Sequence, residues 1–262
     1  MPSLTPEQLS IVNAAHNTSD HLIIKARAGT GKTFSLIEVL PRLSGSKVIM
    51  AFNKSIAKEL GQRTEGLPLS TRLSTEVGTV HALGLKSYSK GLGRKPQING
   101  GKVSFIAKDH YSSNSRDRDY FKPVSYLITK MVSAAKNSGF GLVTDGSGYN
   151  EGFGSIDDEG IWHQMLEHFG WDLELEAAAI KSERAITIAQ HFLGISNKQD
   201  NIIDFDDMIY LPLLRNYKMP QFANVLIDEA QDISPTRREL AFRMLAPGGR
   251  LIAVGDEFQA IY

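Results

Sequence analysis

The chain has 262 residues, no cysteine, and 29 Lys plus Arg against 29 Asp plus Glu, so its formal net charge is zero. Hydrophobic residues make up 42% and charged residues 22%, an ordinary balance for a chain that buries a sizeable core. This excludes a disordered charged tail, a disulfide-stapled mini-domain and a Cys-ligated metal protein, and it argues against a blanket electrostatic binder while allowing a local basic groove.

In chain order, Thr5, Pro6 and Gln8 have the spacing of a capping box that opens a helix. A short apolar run at 21–26 reads as a buried strand, and the segment after it, 33–43, carries Phe34, Ile37 and Leu40 on one helical face. A second strand is predicted at 47–52, a helix over 53–64 with Ile56 and Leu60 inward, and a shorter strand at 76–80. From about 83 to 201 there is no convincing buried strand; helical patterns dominate at 159–169 and 176–193, and the Gly- and Ser-rich stretch 137–155 reads as a mobile loop. Strands resume at 223–228 and 250–254, with Ser234 as N-cap and Pro235 at the first helical position between them. Short Val- and Ile-rich strands alternating with helices predict a parallel α/β sheet, interrupted by a mostly helical insertion and then resumed. No apolar run approaches the roughly 18 residues that span a bilayer, and the N-terminus lacks an export pattern, so no membrane partner is expected and the cytoplasm is the default compartment.

The strongest local signal is Ala26-Arg27-Ala28-Gly29-Thr30-Gly31-Lys32-Thr33, between a predicted strand and a predicted helix. Its glycines let backbone N–H groups turn toward phosphate oxygens, and the helix N-terminus adds positive partial charge. Lys32 is placed to reach β- and γ-phosphates, and the Thr33 hydroxyl to ligate Mg²⁺. Ala26 stands where the common pattern has glycine; the competing reading is a glycine-rich helix entry without a ligand. A second signal, Asp228-Glu229-Ala230-Gln231-Asp232, places carboxylates at the C-terminal end of a buried strand, the edge where open α/β sheets bind ligands. Asp228 is placed to hold Mg²⁺ and Glu229 to polarise a water for attack on the γ-phosphate, against a plain reading as an acidic helix start.

Together with Val254-Gly255-Asp256-Glu257-Phe258-Gln259-Ala260-Ile261-Tyr262, these segments resemble motifs I, II and III of superfamily 1 DNA helicases of the UvrD/Rep/PcrA type, and Asn53-Lys54-Ser55-Ile56-Ala57-Lys58 is closest to the F-box DNA helicase branch. The resemblance covers 4–83 and 202–262. It implies a P-loop NTPase fold, a RecA-like parallel sheet with helices on both faces, divided as 1–82 and 202–262 around an inserted domain at 83–201. It implies ATP and Mg²⁺ as cofactors and single-stranded DNA or DNA junctions as partners. Lys32, Glu229 and Gln259 would be catalytic; Gln8, Ala28, Gly29, Thr30, Gly31, Lys32 and Thr33 would hold the nucleotide; Thr33 and Asp228 would hold the metal, with Asp256 assisting. Gln8 would read the adenine edge, a role that competes or coexists with the capping box. Phe52, Asn53, Thr79, His81 and Tyr262 would contact DNA, with core packing as the alternative for Phe52 and a hydrogen-bonded structural role for His81.

Family members continue past motif III with a second RecA-like domain that supplies arginines to the transferring phosphoryl group. The sequence ends at Tyr262, so the expectation is the N-terminal half of an ATP-dependent 3′→5′ helicase, monomeric, with hydrolysis and unwinding incomplete without the missing C-terminal motor domain. A stand-alone nucleotide-binding regulatory module, or one half of a split helicase, are the alternatives. Within the cytoplasm a nucleoid-associated location is expected, or the nucleus if the host is a eukaryote. Asp204-Phe205-Asp206-Asp207 is expected to be structural, with Asp206 and Asp207 as helix-start carboxylates. Basic residues beside Tyr88, Tyr111 and Tyr120 in the insertion suggest either a nucleic-acid surface or a solvated charged face.

Overall fold

The computed structural model describes residues 4–27, 29–143 and 154–256. In chain order the elements are α1 (Pro6–Asn17), β1 (Leu22–Lys25), α2 (Lys32–Val39), β2 (Lys47–Ala51), α3 (Lys54–Glu65), α4 (Leu69–Leu73), β3 (Thr75–Thr79), α5 (Val80–Leu92), β4 (Gln97–Ile98), α6 (Lys102–Ser113), α7 (Ser115–Phe121) and α8 (Ser125–Ser138). They continue with α9 (Glu159–Phe169), α10 (Trp171–Ala177), α11 (Ser182–Lys198), β5 (Ile202–Ile203), α12 (Asp207–Leu214), β6 (Phe222–Ile227), α13 (Pro235–Arg243) and β7 (Leu245–Gly255). No helix among the described residues is long and apolar enough to cross a membrane.

The chain divides into two compact units, one formed by residues up to 83 with those from 218 onward, the other by 84–217. The first unit holds a five-stranded sheet in the order β1-β7-β6-β2-β3, every neighbouring pair parallel. All five residues of β2 are buried, which accounts for an unbroken apolar run rather than an alternating one. Val12 and Ala15 of α1, Leu36 and Val39 of α2, and Leu60 of α3 pack with Ile49, Leu226 and Ile252 of the sheet. The register sets Lys25 beside Gly255 and Ala51 beside Thr79, so the strands end together at one edge.

Polar side chains close the ends of helices in this unit. Thr5 and Gln8 form the expected capping box on α1. At the other end of α1 the buried Arg250 guanidinium of β7 donates to the carbonyls of Ala15 and Thr18 at 2.6 and 2.9 Å and to that of Asp20, meeting the orphan carbonyls of the helix with a positive charge. On α13, Ser234 caps and Pro235 opens the helix, as its sequence predicts.

The second unit is largely helical; β4 and β5 are a two-residue parallel pair. Its core includes Leu127, Met131 and Ala135 of α8, Trp162 and Leu166 of α9, and Phe192 of α11. The helix expected over 176–193 is broken: Ala179 takes a left-handed φ of 57°, ending α10 before α11 begins. Ile180 is buried there and its N–H donates to the Leu175 carbonyl at 2.9 Å, the hydrophobic closure of a helix C-terminus. In the stretch read as a loop, α8 runs to Ser138 and stops at Gly139, whose φ of 80° suits glycine; residues 144–153 lie outside the described set.

Asp206 and Asp207 do stand at the start of α12, but Asp207 is more than a helix-start carboxylate. It is wholly buried and paired with Lys102 at 2.7 Å and Lys136 at 2.7 Å, while Lys136 also binds the buried Asp204. Burial pulls the Lys136 ammonium down, but Asp207 and Asp204 outweigh it and hold it above the ordinary lysine value. The aromatic residues suggested for a surface also divide. Tyr88 and Tyr111 are core residues, whereas Tyr120 is half-buried with the Arg184 guanidinium 4.1 Å from its ring centroid.

Candidate nucleotide site

β1 ends at Lys25, and the glycine loop turns through Gly29 and Gly31, whose φ values of 77° and 83° are left-handed. A side chain is costly at such φ, so these glycines permit the loop. Within it the Thr30 hydroxyl donates to the Arg27 carbonyl at 2.7 Å, and α2 begins at Lys32. Gln8 reaches this loop: its Nε2 donates to the Thr30 carbonyl at 3.3 Å while its Oε1 accepts from the Thr5 N–H at 3.0 Å. The capping role is therefore compatible with a position beside the loop.

β6 brings the acidic residues to the same edge. The Thr33 hydroxyl donates to Asp228 Oδ2 at 3.1 Å, and Lys32 Nζ lies 2.7 Å from Glu229 Oε2. Glu229 has φ 54° and ψ 51°, a left-handed conformation that is unfavourable for a side-chain-bearing residue and is concentrated at functional turns. Gln231 Nε2 donates to Glu229 Oε2 at 2.8 Å, and its Oε1 accepts from the Asp256 N–H at 3.0 Å, so it ties the carboxylate to the end of β7. The only cue to Gln231 in the sequence is a polar side chain two residues past Glu229; no role for it was expected.

The two carboxylates are tuned apart. Burial, then the Glu229 charge, pushes Asp228 above its ordinary value of 3.8. Burial also pushes Glu229 up, but the hydrogen bonds from Lys32 and Gln231 outweigh it and hold Glu229 below its ordinary value of 4.5. A buried carboxylate that resists ionisation gains from a nearby cation. Thr33 and Asp228 offer Mg²⁺ two oxygen ligands, which suits a metal that keeps several waters and takes substrate phosphates.

The residues expected along DNA have local partners. Asn53 Oδ1 accepts from the Ile56 N–H at 2.9 Å as the N-cap of α3, and Thr79 Oγ1 accepts from the Ala82 N–H at 3.1 Å near the start of α5. His81 is half-buried. Phe52 is 37% exposed and, with Val80, Asp228, Glu229, Asp232 and Arg237, lines a small cleft at the ends of β2 and β6. Ala28, Gln259 and Tyr262 lie outside the described residues.

A parallel sheet whose first strand feeds a glycine loop and an N-terminal Lys-Thr, facing an Asp-Glu pair on another strand end, defines a P-loop NTPase of the RecA-like kind. The UvrD/REP helicase N-terminal domain model matches residues 4–262, and the chain belongs to that family. It is 25% identical over 268 residues to F-box DNA helicase protein 1 of Schizosaccharomyces pombe, covering 99% of this chain and 28% of the relative. It is 27% identical over 295 residues to DNA helicase IV of Escherichia coli, covering 99% of this chain and 40% of the relative. Over 123 residues it is 32% identical to the ATP-dependent DNA helicase Rep of Salmonella typhimurium, covering 40% of this chain and 18% of that protein. The chain thus spans well under half the length of these relatives.

Proposed function

We propose that the first unit binds Mg·ATP and contacts single-stranded DNA, as the N-terminal motor domain of an ATP-dependent 3′→5′ DNA helicase. The division into a first motor domain interrupted by an inserted helical domain belongs to the same reading. The observation that carries it is the convergence of Lys32 and Thr33 with Glu229 and Asp228 at 2.7 and 3.1 Å.

Lys32 binds the β- and γ-phosphates, and in doing so exchanges its Glu229 contact for a phosphate oxygen. Glu229, released and still held by Gln231, orients the attacking water and accepts its proton. Thr33 and Asp228 hold Mg²⁺, which when bound offsets charge on the phosphates. Gln8 reads the adenine edge, and Gln259 senses the γ-phosphate. Phe52 stacks on a base while Asn53, Thr79 and His81 contact the strand, with Tyr262 as a further stacking residue. Unwinding needs a second motor domain that closes on the bound nucleotide and brings an arginine to the transferring phosphoryl group.

The test is titration with a fluorescent ATP analogue, with and without Mg²⁺ and oligo(dT). Mg²⁺-dependent binding that Lys32→Ala removes is expected. Binding that survives this substitution unchanged overturns the reading.

A further inference from the structure

Arg237 is used by none of the roles above, yet it lies against one of the residues that carry them. Its guanidinium carbon is 5.1 Å from the centroid of the Phe52 ring, within the range of a cation–π contact. Its Nε is buried and has no hydrogen-bond partner among the described residues. The ring is thus covered by a planar cation in one direction, while 37% of Phe52 remains exposed.

The same ten residues that hold Arg237 also hold the acidic pair. Glu229 begins a tight turn in which the Asp232 N–H donates to the Glu229 carbonyl at 3.0 Å and the Ile233 N–H to the Ala230 carbonyl at 3.3 Å. The Ser234 hydroxyl then accepts from the Arg237 N–H at 3.4 Å and fixes the first turn of α13. Residues 228–237 therefore form two consecutive hydrogen-bonded turns, the acidic pair at the first and Arg237 in the second.

We propose that Arg237 is a positioning residue: it holds the Phe52 ring so that its open face stacks on a nucleobase, and it ties that ring to the nucleotide site through 228–237. This rests on the reading of Phe52 as a base contact. A planar guanidinium does this better than an ammonium, because a guanidinium can stack on an aromatic face while staying charged.

The experiment measures affinity for a labelled oligo(dT) and for an abasic strand of equal length, at one salt concentration, with and without a Mg-bound non-hydrolysable ATP analogue. Arg237→Met, Arg237→Lys and Arg238→Met are compared, the last removing the same charge from an exposed neighbour. Arg237→Met is expected to weaken oligo(dT) binding roughly 5- to 10-fold, in line with the loss of one base stack. Arg237→Lys should fall between it and the wild type, and Arg238→Met should change binding less than about 2-fold, the scale of one screened surface charge. The abasic strand should not register the Arg237 substitution, and affinity for the nucleotide alone should stay unchanged. The shift in oligo(dT) affinity on adding nucleotide should shrink in Arg237→Met. Equal losses on the abasic strand, equal losses in Arg238→Met, a parallel loss of nucleotide affinity, or an undiminished nucleotide shift each overturn the role. A wild-type protein that binds oligo(dT) no better than the abasic strand overturns the reading of Phe52 itself. A wild type that prefers the base-bearing strand, matched by Arg237→Met, overturns only the part given to Arg237.

Discussion

The Lys32 ammonium and the Glu229 carboxylate meet at 2.7 Å although 197 positions separate them in the chain. The Lys32 side chain is nearly buried and that of Glu229 about a quarter exposed, so water screens the pair from the Glu229 side only. Lys32→Ala is expected to lower Mg·ATP affinity at least about 50-fold, since a charge-assisted phosphate contact is lost, while shifting the melting temperature by only a few degrees. Nucleotide titration and thermal unfolding of the same sample check both parts.

Glu229→Gln keeps the side-chain shape and one acceptor oxygen for Lys32 and Gln231, and removes the negative charge and with it the proton acceptor. Nucleotide affinity is expected to stay within about 3-fold, and DNA-stimulated hydrolysis by the assembled motor to fall about 10²-fold or more, the scale of general-base catalysis. Hydrolysis at the wild-type rate would assign the base elsewhere. Gln231→Leu should lower hydrolysis less, because it loosens the carboxylate without removing it.

Asp228 sets a pH dependence with a definite sign. Its folded-state value is raised, so its contribution to stability is fully present below the ordinary 3.8 and is lost as pH rises through the raised value. Asp228→Asn removes this titration. The variant is expected to melt a few degrees higher than wild type at pH 8, with the difference shrinking toward pH 4, and to lose Mg²⁺-dependent nucleotide binding. Melting curves across that pH range decide it; a variant less stable at pH 8 would contradict the burial argument.

In the second unit, Lys136 balances two buried carboxylates. Lys136→Met leaves Asp204 and Asp207 short of a cation and should cost about 3–5 kcal/mol in denaturant unfolding. The cost should be smaller at pH 5 than at pH 8, since burial holds Asp204 above the usual carboxylate value and a protonated Asp204 needs no counter-charge. An effect below about 1 kcal/mol at pH 8 would show that Lys102 alone suffices.

The parts of this protein that were legible in its sequence are those fixed by neighbours in the chain. Short runs such as 47–52 and 223–228 read as strands because both faces of those strands are covered, and the Ser234–Pro235 cap read correctly because capping is local. β7 begins at Leu245, earlier than the run at 250–254 suggests, because Pro247, Gly248 and Gly249 hide its first half from any apolar pattern. The break at Ala179 was hidden because alanine is ordinarily a helix former. Arg250 on α1, Arg237 on Phe52, and the Lys102–Lys136–Asp204–Asp207 cluster depend on partners far away in sequence, which no window contains.

The strand order has a consequence for how the protein is made. Among the described residues β1 pairs only with β7, and β2 reaches the rest of the sheet only through β6, so neither β1 nor the β2–β3 pair meets its remaining partner until residues 222–255 have left the ribosome. The whole of 84–217 is synthesised in between. At elongation rates of about 5–20 residues per second, the first 83 residues wait several seconds or more without their central strands. The N-terminal segment is therefore the stretch of the nascent chain with the longest exposure to chaperones and proteases, and the glycine loop takes its final partners last.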